Sequence, residues 1–362
     1  MPSPSSTLAP RVTTLIDVAR DAGVSRATAS RVLTGSPRVS PSARDRVLAS
    51  AERLQYQVNA AARSLRTART GLVGLLIPGF RNDLYGPLAD RLDERLRERG
   101  LSVVIGSSGW SADGDLRVLE SFAAQRLDAV IIAPRSDRSK ALATYLGGLG
   151  CPAVLLDRDF VGLQRDSVLT GLGQGITEAM GALAALGHRR IAVSAYGADL
   201  RPGREVRAGF ADAVTRFDLE DDPSLLVEMS DLNAEAGDAV AERVIAADAT
   251  AAVIGGPTSL LARALRRLRE RLGPDPFPGR LSVVAVGDEV LADVHEPALA
   301  LVTRPVELIA DAVADQLLRR LEEPSSPVQS VTIPLAFRPG PSMGPPTHYP
   351  GGIGGSPAPG ML

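Results

Sequence analysis

Two hydrophobic periodicities divide the chain near residue 70. From Gly71 onward, short apolar runs alternate with longer segments whose apolar residues recur every three or four positions. That is the pattern of parallel strands joined by amphipathic helices. Runs at 72–77, 101–105, 129–133 and 153–156 predict strands. Segments through Leu88, Leu92 and Leu96, through Leu116, Leu119 and Phe122, and over 141–149 predict the helices between them. Four βα units suffice for one doubly wound lobe. A second set begins near Ser167, with helices over 176–186, 204–217, 236–246 and 260–272 and strands over 191–194, 225–228, 251–254 and 281–286. The helix over 306–321 lacks a partner in that set, so the chain is expected to return to the first lobe near Leu301 to Pro305.

Before residue 70, a Pro/Ser-rich lead over 1–12 gives way to helical periodicity. Thr14 and Asp17 form a capping-box pattern that starts a helix at Leu15, with Leu15, Val18 and Ala19 on one face. Gly23 can take the positive φ that turns the chain. Ser25 then caps a second helix, 26–33, whose inward face is Ala29, Val32 and Leu33. Its outward face is Arg26, Ala27, Ser30 and Arg31. A third helix begins with Ser40 as cap and Pro41 at its first position, burying Ala43, Val47, Ala51 and Leu54. Two short helices about a tight glycine turn make a helix-turn-helix, whose second helix enters a DNA major groove. An arginine fork matches the O6 and N7 edge of guanine, while Ser25, Thr28 and Ser30 suit phosphate oxygens. Beyond this unit, 56–66 is a short, basic, alanine-rich helix candidate.

Charge sharpens that division. The chain of 362 residues has a formal net charge of −2, yet residues 1–70 hold eleven arginines against Asp17, Asp21, Asp45 and Glu52. A basic module on an acidic body is an electrostatic footprint for nucleic acid at one end. The length suggests two or three domains. No apolar run nears membrane-spanning length and the start lacks a signal-peptide core, so a cytoplasmic protein is expected. One cysteine, Cys151, excludes an internal disulfide and a thiolate cluster, and a buried, inert thiol is expected. His188, His295 and His348 are scattered without metal-ligand spacing. No metal and no cofactor are expected.

The segment from Thr14 to Val32 resembles the first two helices of the LacI/GalR family of bacterial transcription regulators, and Val39-Ser-Pro-Ser-Ala-Arg44 resembles the start of the third. Asn59 to Leu65 is similar to the family's hinge helix, with Leu65 where the family places a minor-groove leucine wedge. Gly187-His-Arg-Arg-Ile191, Val283 to Asp288 and Thr303-Arg-Pro305 match the punctuation of its periplasmic-binding-protein-like core. The resemblance covers roughly residues 14 to 338. Val58 stands for a usual Pro, Ala29 for a usual Val and Thr34 for a usual Asn. The resemblance implies an N-terminal all-α helix-turn-helix domain plus an α/β two-lobed core of doubly wound parallel sheets. The expected boundaries are a disordered lead (1–12), the DNA-binding domain (13–58), hinge and linker (59–70), effector and dimerisation core (71–338), and a disordered Pro/Gly-rich tail (339–362). It further implies a homodimeric repressor of a near-palindromic operator on double-stranded DNA. The DNA-contacting residues would be Thr14, Ser25, Arg26, Ala27, Thr28, Ser30, Arg31, Asn59, Ala62, Arg63, Leu65 and Arg66.

The family's effector cleft takes polar ligands from its loops, and here several usual partners are replaced, by Gly79, Gly171-Leu172, Val206, Pro257-Thr258 and Gly287. The candidates that remain are Tyr85, Arg204, Arg207 and Asp288. Sugars are held by charged and amide hydrogen bonds, so a common sugar is not the expected effector. The other function class is a small-molecule binding protein or α/β enzyme whose helical module is incidental. Against it, Gly171-Leu-Gly-Gln-Gly175 has GxGxG rather than dinucleotide spacing and reads as a loop leading into a helix. There is also no GxSxG elbow, Walker loop or recognisable triad.

Overall fold

The computed structural model describes residues 13–33, 38–56, 69–229, 231–287 and 289–347. Its packing divides into two compact units, with the boundary between Thr70 and Gly71.

The first unit holds α1 (Leu15–Asp21), α2 (Arg26–Leu33) and α3 (Pro41–Arg53). The expected capping box is present: Thr14 Oγ1 accepts from the Asp17 N–H, and the Asp17 carboxylate accepts from the Thr14 N–H at 3.0 Å. Gly23 takes φ +63° between α1 and α2. Val18, Ala19, Ala22, Ala29, Val32 and Val47 close a small core, with Leu15, Leu33, Ala51 and Leu54 at its edge. Two details depart from expectation. Ser40 occupies the N-cap of α3 but its side chain makes no cap bond. Ser50, a polar position between the expected apolar ones, is fully buried, its hydroxyl 2.5 Å from Asp21 Oδ2 and 3.2 Å from the Val18 carbonyl. Asp21 also pairs with Arg53, so these bonds pin α3 to the end of α1 and hold the Asp21 carboxyl below its ordinary range.

The second unit opens with β1 (Leu72–Ile77), α4 (Tyr85–Arg97), β2 (Ser102–Ser107), α5 (Ala112–Ala124) and β3 (Ala129–Ile132). It continues with α6 (Lys140–Gly147), β4 (Ala153–Leu156) and β5 (Asp166–Gly171). Then follow α7 (Leu172–Ala185), β6 (Ile191–Ala195), α8 (Arg201–Phe217), β7 (Leu226–Glu228), α9 (Glu235–Ala246) and β8 (Ala251–Gly255). Next come α10 (Thr258–Leu272), β9 (Ser282–Val286), α11 (Glu289–Val294), β10 (Ala300–Val302) and α12 (Val306–Glu322). The described chain ends after β11 (Ser330–Pro334) and β12 (Phe337–Arg338).

Two sheets form, ordered β11-β5-β4-β3-β1-β2 and β12-β10-β9-β8-β6-β7. Their strand pairs are parallel except β10 with β12. Strand alternation sends Val73, Leu75 and Ile77 toward α4 and α12, and Leu76, Val130 and Ile132 toward α5 and α6. The first sheet is thus covered on both faces, as doubly wound sheets require.

Two expectations need correction and one holds. The run at 166–171, left without a strand, is β5 of the first sheet, and α7 starts directly at Leu172. Gly173 lies inside that helix because a Cβ there would meet the Glu205 carbonyl at 2.9 Å, so helix crossing explains the glycine. The return to the first lobe falls where it is expected: β10 ends in the second sheet at Val302 and α12, from Val306, packs on the first, after which β11 and β12 add one strand to each sheet. The other correction is the tail, which does not lose order at residue 339. Ser342 is fully buried, accepting from the Ala300 N–H at 2.8 Å and donating to the Val283 carbonyl at 2.6 Å. His188 Nε2 lies 2.8 Å from the Gly344 carbonyl. Main-chain polar bonds, invisible to a search for apolar periodicity, hold this segment; residues 348–362 lie outside the described ones. Cys151 is half-buried beside β4, and burial pushes its thiol pKa up.

Candidate nucleic-acid interface and interlobe cleft

The first candidate site is the outer face of α2. Ser25 stands just before it and accepts from the Thr28 N–H at 3.1 Å, with the two hydroxyl oxygens 2.9 Å apart. This arrangement ties down the helix start. Arg26, Ala27 and Arg31 are exposed, Thr28 and Ser30 are half-buried, and Thr14 is exposed at the start of α1. Ala29 and Val32 face the core, so packing fixes which residues α2 presents outward. Asn59, Ala62, Arg63, Leu65 and Arg66 lie outside the described residues.

The second candidate lies between the lobes. A cavity of about 50 Å³ is lined by Tyr85, Trp110, Asp157, Arg158, Tyr196 and Arg304, with Leu84, Leu156, Leu172 and Leu232 around them. Of the sequence candidates, the structure places Tyr85 there. Arg204 and Arg207 do not line it. Arg204 reaches from α8 to the first lobe, donating to Asp137 through Nη1 at 2.9 Å and Nη2 at 3.0 Å, and it also pairs with Asp159. Arg207 donates to the Tyr196 and Gly203 carbonyls and to Glu228. Asp288 lies outside the described residues.

Sequence reasoning missed the ion pairs that close the cleft. The Asp137 side chain is fully buried and also accepts from the Arg201 N–H at 2.9 Å. Burial opposes its ionisation, but the Arg204 guanidinium outweighs burial and holds the carboxyl below its ordinary range. For Asp159 the balance goes the other way: burial, with Asp137 beside it, raises its pKa despite Arg204. Arg201, also buried, donates to Asp157 at 2.5 Å and to the Thr170 carbonyl at 3.0 Å. Asp83 of the first lobe accepts from the Thr258 N–H at 2.7 Å at the start of α10. A Cβ on Gly79 would meet the Trp110 indole nitrogen at 2.7 Å, and one on Gly287 the Arg304 guanidinium at 3.2 Å. The bare backbone at both positions thus seats side chains that line the cavity. Among the described residues no cluster of His, Cys, Asp and Glu could hold a metal ion, and no helix is long and apolar enough to cross a membrane.

Comparison with known proteins agrees with this architecture. Residues 14–59 match the family described as "Bacterial regulatory proteins, lacI family". Residues 70–256 match "Periplasmic binding proteins and sugar binding domain of LacI family", and residues 180–343 match "Periplasmic binding protein-like domain". The transcriptional regulator CelR of Thermobifida fusca is 30% identical over 328 residues, covering 88% of this chain and 95% of that protein. DegA of Bacillus subtilis, also a transcriptional regulator, is 27% identical, covering 82% and 87%. A solved CelR–cellobiose complex superposes with a TM-score of 0.68 at 27% identity, covering 91% of this chain and 99% of that one. The lac repressor dimer bound to operator and the anti-inducer ONPF shares the fold, with a TM-score of 0.81 at 23% identity and coverage of 92% and 100%. The chain therefore belongs to the LacI family of bacterial regulatory proteins and is a DNA-binding transcriptional regulator.

Proposed function

We propose that this regulator is a cytoplasmic, homodimeric repressor of a near-palindromic operator, and that its two-lobed core senses a small molecule rather than catalysing a reaction. The observation that carries the proposal is the face of α2, where a packed three-helix core leaves Arg26, Ala27 and Arg31 outward. Each chain offers one such helix, so reading a long site calls for two copies, with half-sites about one helical turn apart. The basic segment 1–70 supplies nonspecific attraction to phosphate, and α2 supplies base selection.

The core is not suited to common sugars. Leu172 and Val206 are buried apolar residues, Thr258 is engaged by Asp83, and Trp110 and Arg304 lie against Gly79 and Gly287. A sugar would leave hydroxyls without acceptors, at about 1–3 kcal/mol for each one buried. The test is to sequence genomic fragments retained by the purified full-length protein. A shared motif with dyad symmetry, bound by two chains per duplex, is expected. Retained fragments without dyad symmetry, or saturation at one chain per duplex, would refute the dimeric reading. In the same assay Leu65→Ala is expected to reduce DNA bending and operator affinity while sparing random DNA, and unchanged bending would remove the wedge role.

A further inference from the structure

The lining of the interlobe cavity is rich in donors and poor in acceptors. Three charged residues line it, Asp157, Arg158 and Arg304. The Asp157 oxygens are already engaged, Oδ1 by Arg201 and the Thr170 N–H, and Oδ2 by the Thr170 hydroxyl at 2.9 Å. Arg158 is 5% exposed, and its guanidinium donates to the carbonyls of Pro134 and Asp157, at 2.7 and 2.9 Å. Arg158 also bonds the Tyr85 hydroxyl and has the Asp115 and Asp137 carboxylates acting on its charge, whereas among the described residues Arg304 forms no ion pair with a carboxylate. Asn82, also in the lining, has its amide oxygen engaged by the Leu84 N–H at 3.0 Å.

The neutral polar groups point the same way. The Trp110 indole N–H is buried without an acceptor. Burial raises the pKa of Tyr85 and Tyr196, so both phenols keep their protons and can donate. A buried donor left without an acceptor is costly. A sugar would bring donors of its own to a wall with few open acceptors. An anion brings acceptors alone.

We propose that this cavity takes a small organic carboxylate, its oxygens received by Arg304 and by the donors of Trp110, Tyr85 and Tyr196. The proposal rests on the reading of the core as a sensor. The cavity of about 50 Å³ would hold roughly three or four waters, which suits a carboxylate with a short apolar tail. Leu84, Leu156, Leu172 and Leu232 would receive that tail.

The test uses the full-length protein, calorimetry, and the emission of Trp110, the chain's single tryptophan. The probes are butyrate, its neutral amide butyramide, inorganic phosphate and glucose. Butyrate is expected to bind, to change Trp110 emission, and to exceed butyramide by at least about tenfold. Arg304→Gln, shown to be folded by its circular dichroism, should lose at least about tenfold, and Arg304→Lys should recover most of it by restoring the charge. Equal binding of butyrate and butyramide, butyrate binding unchanged in Arg304→Gln, or phosphate or glucose binding in preference to butyrate would each overturn the proposal. No butyrate binding up to ~10 mM, a range weaker than the millimolar affinities that small ligands reach, would do the same. DNA binding is measured alongside, by fluorescence anisotropy on a retained fragment. Loss of carboxylate binding with DNA binding intact removes this proposal alone, whereas absent DNA binding removes the regulator reading.

Discussion

Replacing Asp137 by alanine is expected to destabilise the two-lobed core by about 3–5 kcal/mol, the usual cost of removing one partner from a buried ion pair. The structure bounds that figure from both sides. Asp137 accepts three hydrogen bonds at 2.9–3.0 Å, two from Arg204 and one from the Arg201 N–H. At about 1.5–3 kcal/mol for each bond to a charged group, their sum would be roughly 4.5–9 kcal/mol. That sum overshoots, because Arg204 keeps Asp159 and the Ala198 carbonyl and its side chain is 24% exposed. The lower limit is set by Asp137 itself, whose side chain is fully buried, and by the Arg201 N–H, left without its acceptor. Urea unfolding of the full-length protein, followed by Trp110 emission, measures the difference. Because the bonds join the lobes, the native baseline of the variant should also shift to the red as water reaches Trp110. The pH dependence has a defined sign. The folded-state pKa of Asp137 is lowered, so its contribution is fully present above the unfolded value of about 3.9 and is lost as pH falls through the folded value. The gap between wild type and variant should close in that acid window. A neutral-pH loss under about 1 kcal/mol would place Asp137 with ordinary surface pairs and refute its role as a buried pair joining the lobes.

Three further outcomes are expected. Arg31→Ala should cost about 1–3 kcal/mol on the specific site, relax preference at one base pair and leave random DNA little affected; competition binding checks this, and equal losses on both DNAs would count against base reading. Ser50→Ala should destabilise the helical unit, since it removes a buried hydroxyl that holds the Val18 carbonyl and Asp21 together; thermal unfolding of that transition checks it, and an unchanged midpoint would count against the role. His188 has its pKa lowered by burial, against the opposing Gly344 carbonyl bond, so core stability should decline as pH falls from about 6.5 through the folded value. A His188→Asn variant should lose that part of the pH slope.

Elements whose apolar spacing repeats were legible in the sequence. The runs at 72–77 and 153–156 are strands with those bounds, and the Thr14–Asp17 box starts α1 as its spacing requires. Elements fixed by sheet order were less visible. Strand β5 begins with a buried aspartate because Asp166 is paired by Arg319 and Arg320 of α12, some 150 residues later. No local pattern announces that partner. Strands β11 and β12 were not legible for the same reason, as each short strand takes its place from a distant neighbour.

The cleft failed differently, and its failure has a physical cause. A search for polar residues in the cleft loops finds Arg204 and Arg207, yet a guanidinium that the fold has already satisfied has little left to offer a ligand. Arg204 is consumed by Asp137 and Asp159, and Arg207 by two carbonyls and Glu228. The Trp110 indole N–H faces the cavity unsatisfied and Arg304 faces it without a paired carboxylate among the described residues, and that property depends on contacts between segments far apart in sequence. Trp110 and Arg304 lie beside Gly79 and Gly287, two positions that look like losses when only side chains are counted. A glycine removes a donor or acceptor of its own, but it also lets a large neighbour approach bare backbone. Substituting aspartate at Gly287 tests this logic against the sequence-level one: that backbone sits at φ +98°, strained for any L side chain, and the new Cβ would press on Arg304. If the glycine is there to seat Arg304, Gly287→Asp should lower core stability and abolish butyrate binding together. Improved sugar binding at unchanged stability would show instead that the position was merely an empty ligand contact.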